Sequence, residues 1–243
     1  MAKYGLIGKD IGYSFSKTFF TIKFEKEKRN DTYQNFDIDS LDEFSCILES
    51  NPELKGLNVT IPYKEAIIPK LDRVHKEAAA IGAVNTIKIT KTGKLVGYNT
   101  DHYGFAKSLV DYLPIKEKTA LILGTGGASK AVAYVLEIMN FDYVFVSRKQ
   151  KKGTITYDQL NHKVMSSHYL IVNTTPLGTF PNTQEFPNIP YQFLSKDHVL
   201  FDLIYNPQET EFLKRGFAKG ARVVNGLRML EHQAKKAWAI WKK

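Results

Sequence analysis

Apolar positions along this chain recur with two periods in turn. Residues 4–8, 33–37, 56–59 and 86–89 carry short runs rich in Tyr, Ile, Val and Leu, and they predict strands. Residues 18–28 and 41–49 have helical spacing, and Asn51-Pro52 ends the second of these helices, since proline bars the helical conformation to the residue before it. After Asn99-Thr100-Asp101 a new helix is expected, with Phe105, Leu109 and Leu113 on one face. Residues 119–123 then read as a buried strand that runs into Gly124-Thr125-Gly126-Gly127, followed by a helix with Val132, Val135, Leu136 and Met139 along one side. Further strands are expected at 143–147, 169–173, 199–203 and 222–224, and a last helix from about Gly226 with Leu227, Leu230, Ala234, Trp238 and Trp241 at helical intervals. This alternation predicts an α/β protein with mostly parallel sheet in two lobes. Residues 1–101 form the first, completed by the helix at 226–243 packing back on it, and residues 102–225 form the second, with a cleft between.

Composition narrows the class. Of 243 residues 43% are hydrophobic and 24% charged, the balance of a folded protein. No apolar run approaches the ~18 residues of a membrane span, and the first residues lack the long apolar centre of a secretion signal, so the cytoplasm is the expected compartment and no membrane partner is expected. The single cysteine, Cys46, excludes an intrachain disulfide; beside Phe44, Ile47 and Leu48 it reads as a small core residue. The formal charge of +9 is carried largely by residues 23–29 and 235–243, where basic residues fall at helical spacing among apolar ones and read as solvated helix faces. Neither interleaved stacking aromatics nor a nucleic-acid-binding module accompanies them, so no nucleic acid is expected, and no metal is called for. The positive balance does favour anionic small molecules.

The glycine turn between a strand and a helix is the context in which a dinucleotide motif has physical meaning. Gly124 permits the tight turn, Gly126 lets the backbone approach a pyrophosphate, and the amides from Gly127 and Ala128 open the helix N-terminus. Thr125 lies within the turn, and Ser129 stands where the third glycine is usual. This gives the second lobe a Rossmann-like character. The next strand ends in Val146-Ser147-Arg148-Lys149 rather than in Asp or Glu. A carboxylate there would repel the extra phosphate of NADP, whereas a guanidinium grips it bidentately, so the cofactor expected is NADP, held by Arg148 with Ser147 and Lys149 beside it. Lys149, Lys151 and Lys152 are equally readable as a basic surface loop.

Further motifs occur in a definite order. They are Ser14-Phe15-Ser16, Gly56-Leu57-Asn58-Val59-Thr60-Ile61-Pro62-Tyr63-Lys64, Gly82-Ala83-Val84-Asn85-Thr86 and Asn99-Thr100-Asp101. After the glycine loop come Asn173-Thr174-Thr175-Pro176-Leu177-Gly178, Asp202-Leu203-Ile204-Tyr205-Asn206-Pro207, and Gly226 with Met229-Leu230 and Gln233. In this order and spacing the chain resembles the shikimate dehydrogenase family over nearly its whole length. The resemblance implies reduction of 3-dehydroshikimate to shikimate with NADPH, a step of aromatic amino-acid biosynthesis. It implies that Ser14 and Ser16 hold the substrate carboxylate, although Ser is also a favoured helix cap and Ser16 can serve as both. It assigns Thr60, Asn85 and Gln233 to the ring hydroxyls, with Asn58 close by, and Tyr205 to a substrate contact. Asn173 and Thr174 line the cofactor side with Leu203, while Gly226 and Met229 border the nicotinamide.

Hydride reaches or leaves a carbinol carbon only if a proton moves at its oxygen, so a general acid/base is required. The resemblance implies that Lys64 and Asp101 are this pair, with Lys64 moving the proton and Asp101 orienting it. Without the surrounding motifs they would read as a helix-surface Lys and a helix-capping Asp. The chain departs from the family where His102 and Tyr103 follow Asp101 and where Ser147 and Lys149 flank Arg148. His102 is taken to begin the next helix. Alternatives are a quinate/shikimate dehydrogenase of broader substrate or cofactor use and, further off, a non-catalytic NADPH-binding sensor. A monomer or homodimer is expected.

Overall fold

A computed structural model describes residues 1–12 and 14–243, and the chain divides into two compact units. The first comprises Met1–Thr100 and Gln233–Lys243, the second Asp101–His232.

In the first unit the elements are β1 (Lys3–Gly8), α1 (Phe15–Lys26), β2 (Thr32–Asp37), α2 (Phe44–Glu49), β3 (Leu54–Val59), β4 (Arg73–Val74), α3 (Lys76–Ile81), β5 (Thr86–Ile89) and β6 (Leu95–Tyr98). The strands form one sheet in the order β2-β1-β3-β5-β6-β4. β1 pairs in parallel with β2 and β3, and β4 with β6, while β5 runs antiparallel to both its neighbours. Side chains alternate across a strand, so Tyr4 and Leu6 enter an aromatic cluster with Phe20, Phe24, Tyr33, Trp238 and Trp241. Ile7 joins Phe36, Leu57, Val59 and Ile87 in a second cluster. The C-terminal segment is fastened by the Trp241 indole, whose Nε1 donates to the Ile87 carbonyl at 2.9 Å.

The second unit contains α4 (Asp101–Val110), β7 (Thr119–Leu123), α5 (Gly127–Ile138), β8 (Asp142–Ser147), β9 (Thr154–Thr156), α6 (His162–Ser166), β10 (Leu170–Asn173), β11 (Val199–Asp202), α7 (Glu211–Phe217) and β12 (Arg222–Val224). α8 (Leu227–Lys242) follows and supplies the C-terminal segment of the first unit. The sheet order is β12-β11-β10-β7-β8-β9 with every pairing parallel. Counted within the unit this is the doubly wound order 3-2-1-4-5-6. Helices on both faces require strands that are apolar on both sides, and Ala120, Leu121, Ile122 and Leu123 are all fully buried. The strand order reverses between β7 and β10, the place where such sheets open a crevice for a ligand.

Several expectations need correction. Cys46 is exposed rather than in the core. On α2 it lies two residues from buried Phe44, about 200° around the helix and so on the opposite side. α4 stops at Val110, which leaves Leu113 beyond it 37% exposed instead of on a buried stripe. α1 starts at Phe15 and not Thr18, with Ser14 as its cap. β4, β6, β9, α3, α6 and α7 were not expected from the sequence.

Candidate active site

The first unit gathers a polar cluster inside an otherwise apolar lobe. Asn85 is 3% exposed, and Thr86 and Thr100 are fully buried. A buried amide must be satisfied internally, and Asn85 is: its Oδ1 accepts from the Thr100 amide at 2.6 Å and the Thr86 hydroxyl at 3.1 Å, and its Nδ2 donates to Gln233 Oε1 at 3.0 Å. The Gln233 NH2 group is thereby turned away from Asn85. Asn58, on β3, donates from Nδ2 to the Asn85 carbonyl and to Thr86 Oγ1, each at 3.2 Å, while its Oδ1 accepts from the Tyr33 hydroxyl at 2.8 Å. Three residues expected at a polyhydroxylated ligand, Asn58, Asn85 and Gln233, are therefore one connected network. Tyr33, Thr86 and Thr100 belong to it and were not foreseen, because each partner comes from a different strand or loop. Burial holds the Tyr33 phenol well above its ordinary pKa, with the Ser16 hydroxyl countering part of that rise.

Around the cluster, Ser14 Oγ accepts from the Lys17 amide at 3.3 Å, so Ser14 is the helix cap and half-buried Ser16 lies in the first turn. Thr60 follows β3, its amide bonded to the Ile7 carbonyl at 2.9 Å. Lys64 is half-buried in the turn beyond it, and its carbonyl accepts from the Val84 amide at 2.7 Å, beside Asn85.

In the second unit the glycine loop sits at the sheet's switch point. Gly124 has φ +113°, a conformation side chains avoid, and a Cβ there would lie 2.7 Å from Thr174 Oγ1. Gly126 caps α5 with open space beside it. Ser129, in place of the third glycine, is buried and bonds its hydroxyl back to the Gly126 carbonyl at 2.6 Å, which removes its polar atom from the helix surface. Arg148 and Lys149 are exposed at the end of β8, and Ser147 is buried there. Lys151 Nζ donates to Thr125 Oγ1 at 3.2 Å, which brings a cation onto the glycine loop from a stretch equally readable as surface. Free helix amides, an open glycine and these cations suit a dinucleotide with an extra phosphate.

The loops after β10 and β11 are tied together beneath this loop. Fully buried Asn173 donates to Asp202 Oδ1 at 3.0 Å, and its Oδ1 accepts from the Thr175 amide at 3.0 Å and hydroxyl at 2.7 Å. Thr174 Oγ1 donates to the Leu123 carbonyl at 2.7 Å. Asp202 also accepts from the Ile204 amide at 3.1 Å and the Thr210 hydroxyl at 2.6 Å, and desolvation pushes its carboxyl up to about 7. A Cβ on Gly226 would collide with the Leu203 carbonyl, so only glycine fits there.

Residues 6–87 match the family model described as the shikimate dehydrogenase substrate binding domain. The shikimate dehydrogenase (NADP(+)) of Clostridium botulinum is 39% identical, over 98% of this chain and 95% of its own length. The chain belongs to the shikimate dehydrogenase family. A crystal structure of shikimate dehydrogenase from Aquifex aeolicus superimposes with a TM-score of 0.88 at 37% identity, covering 99% of this chain and 92% of that one. The Thermus thermophilus shikimate 5-dehydrogenase solved with NADP(H) and shikimate gives 0.87 at 30%, covering 99% and 93%.

Asp101 is the first residue of α4 and 3% exposed. His102 is the second residue of that helix, its ring edge-on to Tyr134 at 5.5 Å. Tyr205 is half-buried after β11. Met229 is 6% exposed and packs in the core of the second unit with Phe105 and Val224. Among the described residues no group of three or more His, Cys, Asp or Glu is placed to hold a metal ion, and no helix is long and apolar enough to cross a membrane.

Proposed function

We propose that this member of the family reduces 3-dehydroshikimate to shikimate with NADPH, in the route to chorismate and the aromatic amino acids. The observation that carries the reading is the joined network of Asn58, Asn85 and Gln233 in the unit that holds the matched substrate-binding segment. A ligand with a carboxylate and several hydroxyls needs such a dense set of amide and hydroxyl partners, whereas an apolar pocket would not discriminate it.

The unit Met1–Thr100 with Gln233–Lys243 is then the substrate domain and Asp101–His232 the NADP domain, so the return to the first lobe expected at residue 226 falls at Gln233. Ser14 and Ser16 receive the carboxylate, and Thr60, Asn58, Asn85, Tyr205 and Gln233 the ring. Gly124, Thr125, Gly126, Gly127 and Ala128 cradle the pyrophosphate, while Ser147, Arg148 and Lys149 take the extra phosphate. Asn173, Thr174, Leu203, Gly226 and Met229 shape the nicotinamide end. NADPH, when bound, supplies the hydride. Lys64 delivers a proton to the carbonyl oxygen as that carbon is reduced, and Asp101 holds the ammonium and the neighbouring hydroxyl in line. In the reverse direction the same lysine takes the proton from the carbinol. The enzyme acts in the cytoplasm as a monomer or homodimer, without a nucleic-acid or membrane partner.

The test is NADP reduction with shikimate as the only other substrate, run beside quinate and beside NAD. The shikimate and NADP pair should give the highest kcat/KM, by about tenfold or more. Absence of shikimate-dependent reduction would remove the reading. Equal or better turnover of quinate with NAD would replace it by the broader quinate/shikimate activity.

A further inference from the structure

Tyr33 takes no part in the roles above, yet its hydroxyl reaches into the centre of the amide network. It stands on β2, 6% exposed, with its ring stacked on Phe20 at 4.8 Å and an interplanar angle of 10°. The hydroxyl donates to Asn58 Oδ1 at 2.8 Å. Both protons of the Asn58 amide are spent elsewhere, on the Asn85 carbonyl and on Thr86 Oγ1, each at 3.2 Å. A primary amide has two donor hydrogens and two lone pairs on its oxygen. With the hydrogens used and one lone pair taken by Tyr33, half-buried Asn58 retains one acceptor site of defined direction.

We propose that Tyr33 is a positioning residue for the substrate, fixing the Asn58 carbonyl so that it accepts a hydrogen bond from a ring hydroxyl. This rests on the functional reading above and adds to it the polarity of the contact: Asn58 selects a donor on the ligand, not a carbonyl or carboxylate. The terminal torsion of asparagine is broad and roughly two-fold, so the carbonyl keeps its aim only while something holds it. The phenol suits that task, since burial keeps it protonated, and therefore a donor, through the ordinary pH range.

Tyr33→Phe removes the hydroxyl and keeps the Phe20 stack. Shikimate binding to the full-length, cofactor-free protein is measured by calorimetry for wild type, Tyr33→Phe, Asn58→Ala and the double variant, with melting curves and steady-state kinetics on each. Tyr33→Phe should weaken shikimate about tenfold, as expected for a lost and misdirected hydrogen bond. Its kcat and KM for NADP should stay within about twofold of wild type, because the contact serves ground state and transition state alike. In the Asn58→Ala background the same change should add less than about twofold, since residues acting through one contact are not additive. Unchanged affinity in Tyr33→Phe, or a tenfold loss that persists without Asn58, overturns the assignment. If wild type itself takes no shikimate, the functional reading falls and this inference with it.

Discussion

At Lys64 the chain places an ammonium in a half-buried turn whose backbone is bonded to the strand entry before Asn85. If this group moves the proton, its removal costs an interaction made mainly in the transition state. Lys64→Ala should therefore lower kcat roughly 10²–10⁴-fold while leaving both Michaelis constants near wild type, read by steady-state assay. Substantial retained turnover would take Lys64 out of the role. Arg148 carries a separable expectation. Exposed at the end of β8, it is the residue proposed to meet the phosphate that distinguishes the two cofactors, so Arg148→Asp should raise the KM for NADPH by about tenfold or more and that for NADH far less. Equal effects would remove Arg148 and leave Lys151, already on Thr125, as the better candidate. None of these residues is legible alone. A lysine beside a glutamate or an asparagine before a threonine is ordinary surface chemistry, and only the order of motifs sets Lys64, Asn85 and Gln233 apart. Tyr33 was given no role because its partner Asn58 lies on another strand, and Thr86 and Thr100 stood in the motifs without one because no periodicity records which side chains meet in the fold.

Among elements, the legible ones were those with enough length to display a period or a breaker. β7, the glycine loop and α5 could be read directly, since an apolar strand, a tight turn and an amphipathic helix leave separate marks. β9 has three residues and β4 two, too few for a period, and neither carries adjacent apolar residues such as Val223-Val224 of the equally short β12. The joint between β10 and β11 was also invisible, because a buried aspartate in sequence looks like any turn residue. Its structure carries a pH dependence. Asp202 is raised from the ordinary 3.8 to about 7 because desolvation outweighs the bonds from Thr210, Ile204 and Asn173. A carboxyl whose folded pKa lies above its unfolded one favours folding fully below the lower value and loses that contribution as pH rises to the higher. Between about pH 4 and pH 8 wild type should therefore lose up to about 4 kcal/mol of unfolding free energy relative to Asp202→Asn, in denaturant titrations. Parallel curves for the two proteins would show that Asp202 does not bind its proton differently on folding.

Seen whole, the molecule is one unit inserted into another: Asp101–His232 is continuous, whereas Met1–Thr100 is completed only by Gln233–Lys243. The sequence conveyed the change of character after Asp101, since a glycine loop and six parallel strands follow it. A fragment of residues 101–232 should melt cooperatively and quench or enhance NADPH fluorescence on binding. Residues 1–100 alone should give a broad transition, because they lack Trp238 and Trp241 from the aromatic cluster. A sharp melt for 1–100 would show that the C-terminal segment is dispensable to that core.

The Trp241 anchor on Ile87 has a consequence for biosynthesis. Its two ends lie 154 positions apart. At translation speeds of about 5–20 residues per second, the face formed by Tyr4, Leu6, Phe20 and Phe24 waits on the order of ten seconds for its cover after the hundredth codon is read. During that interval the nascent chain displays an aromatic surface while the continuous unit Asp101–His232 is still being made. Slow codons between those for Phe24 and Trp238 should make this chain a client of chaperones in a way that the same delay placed before Phe24 would not.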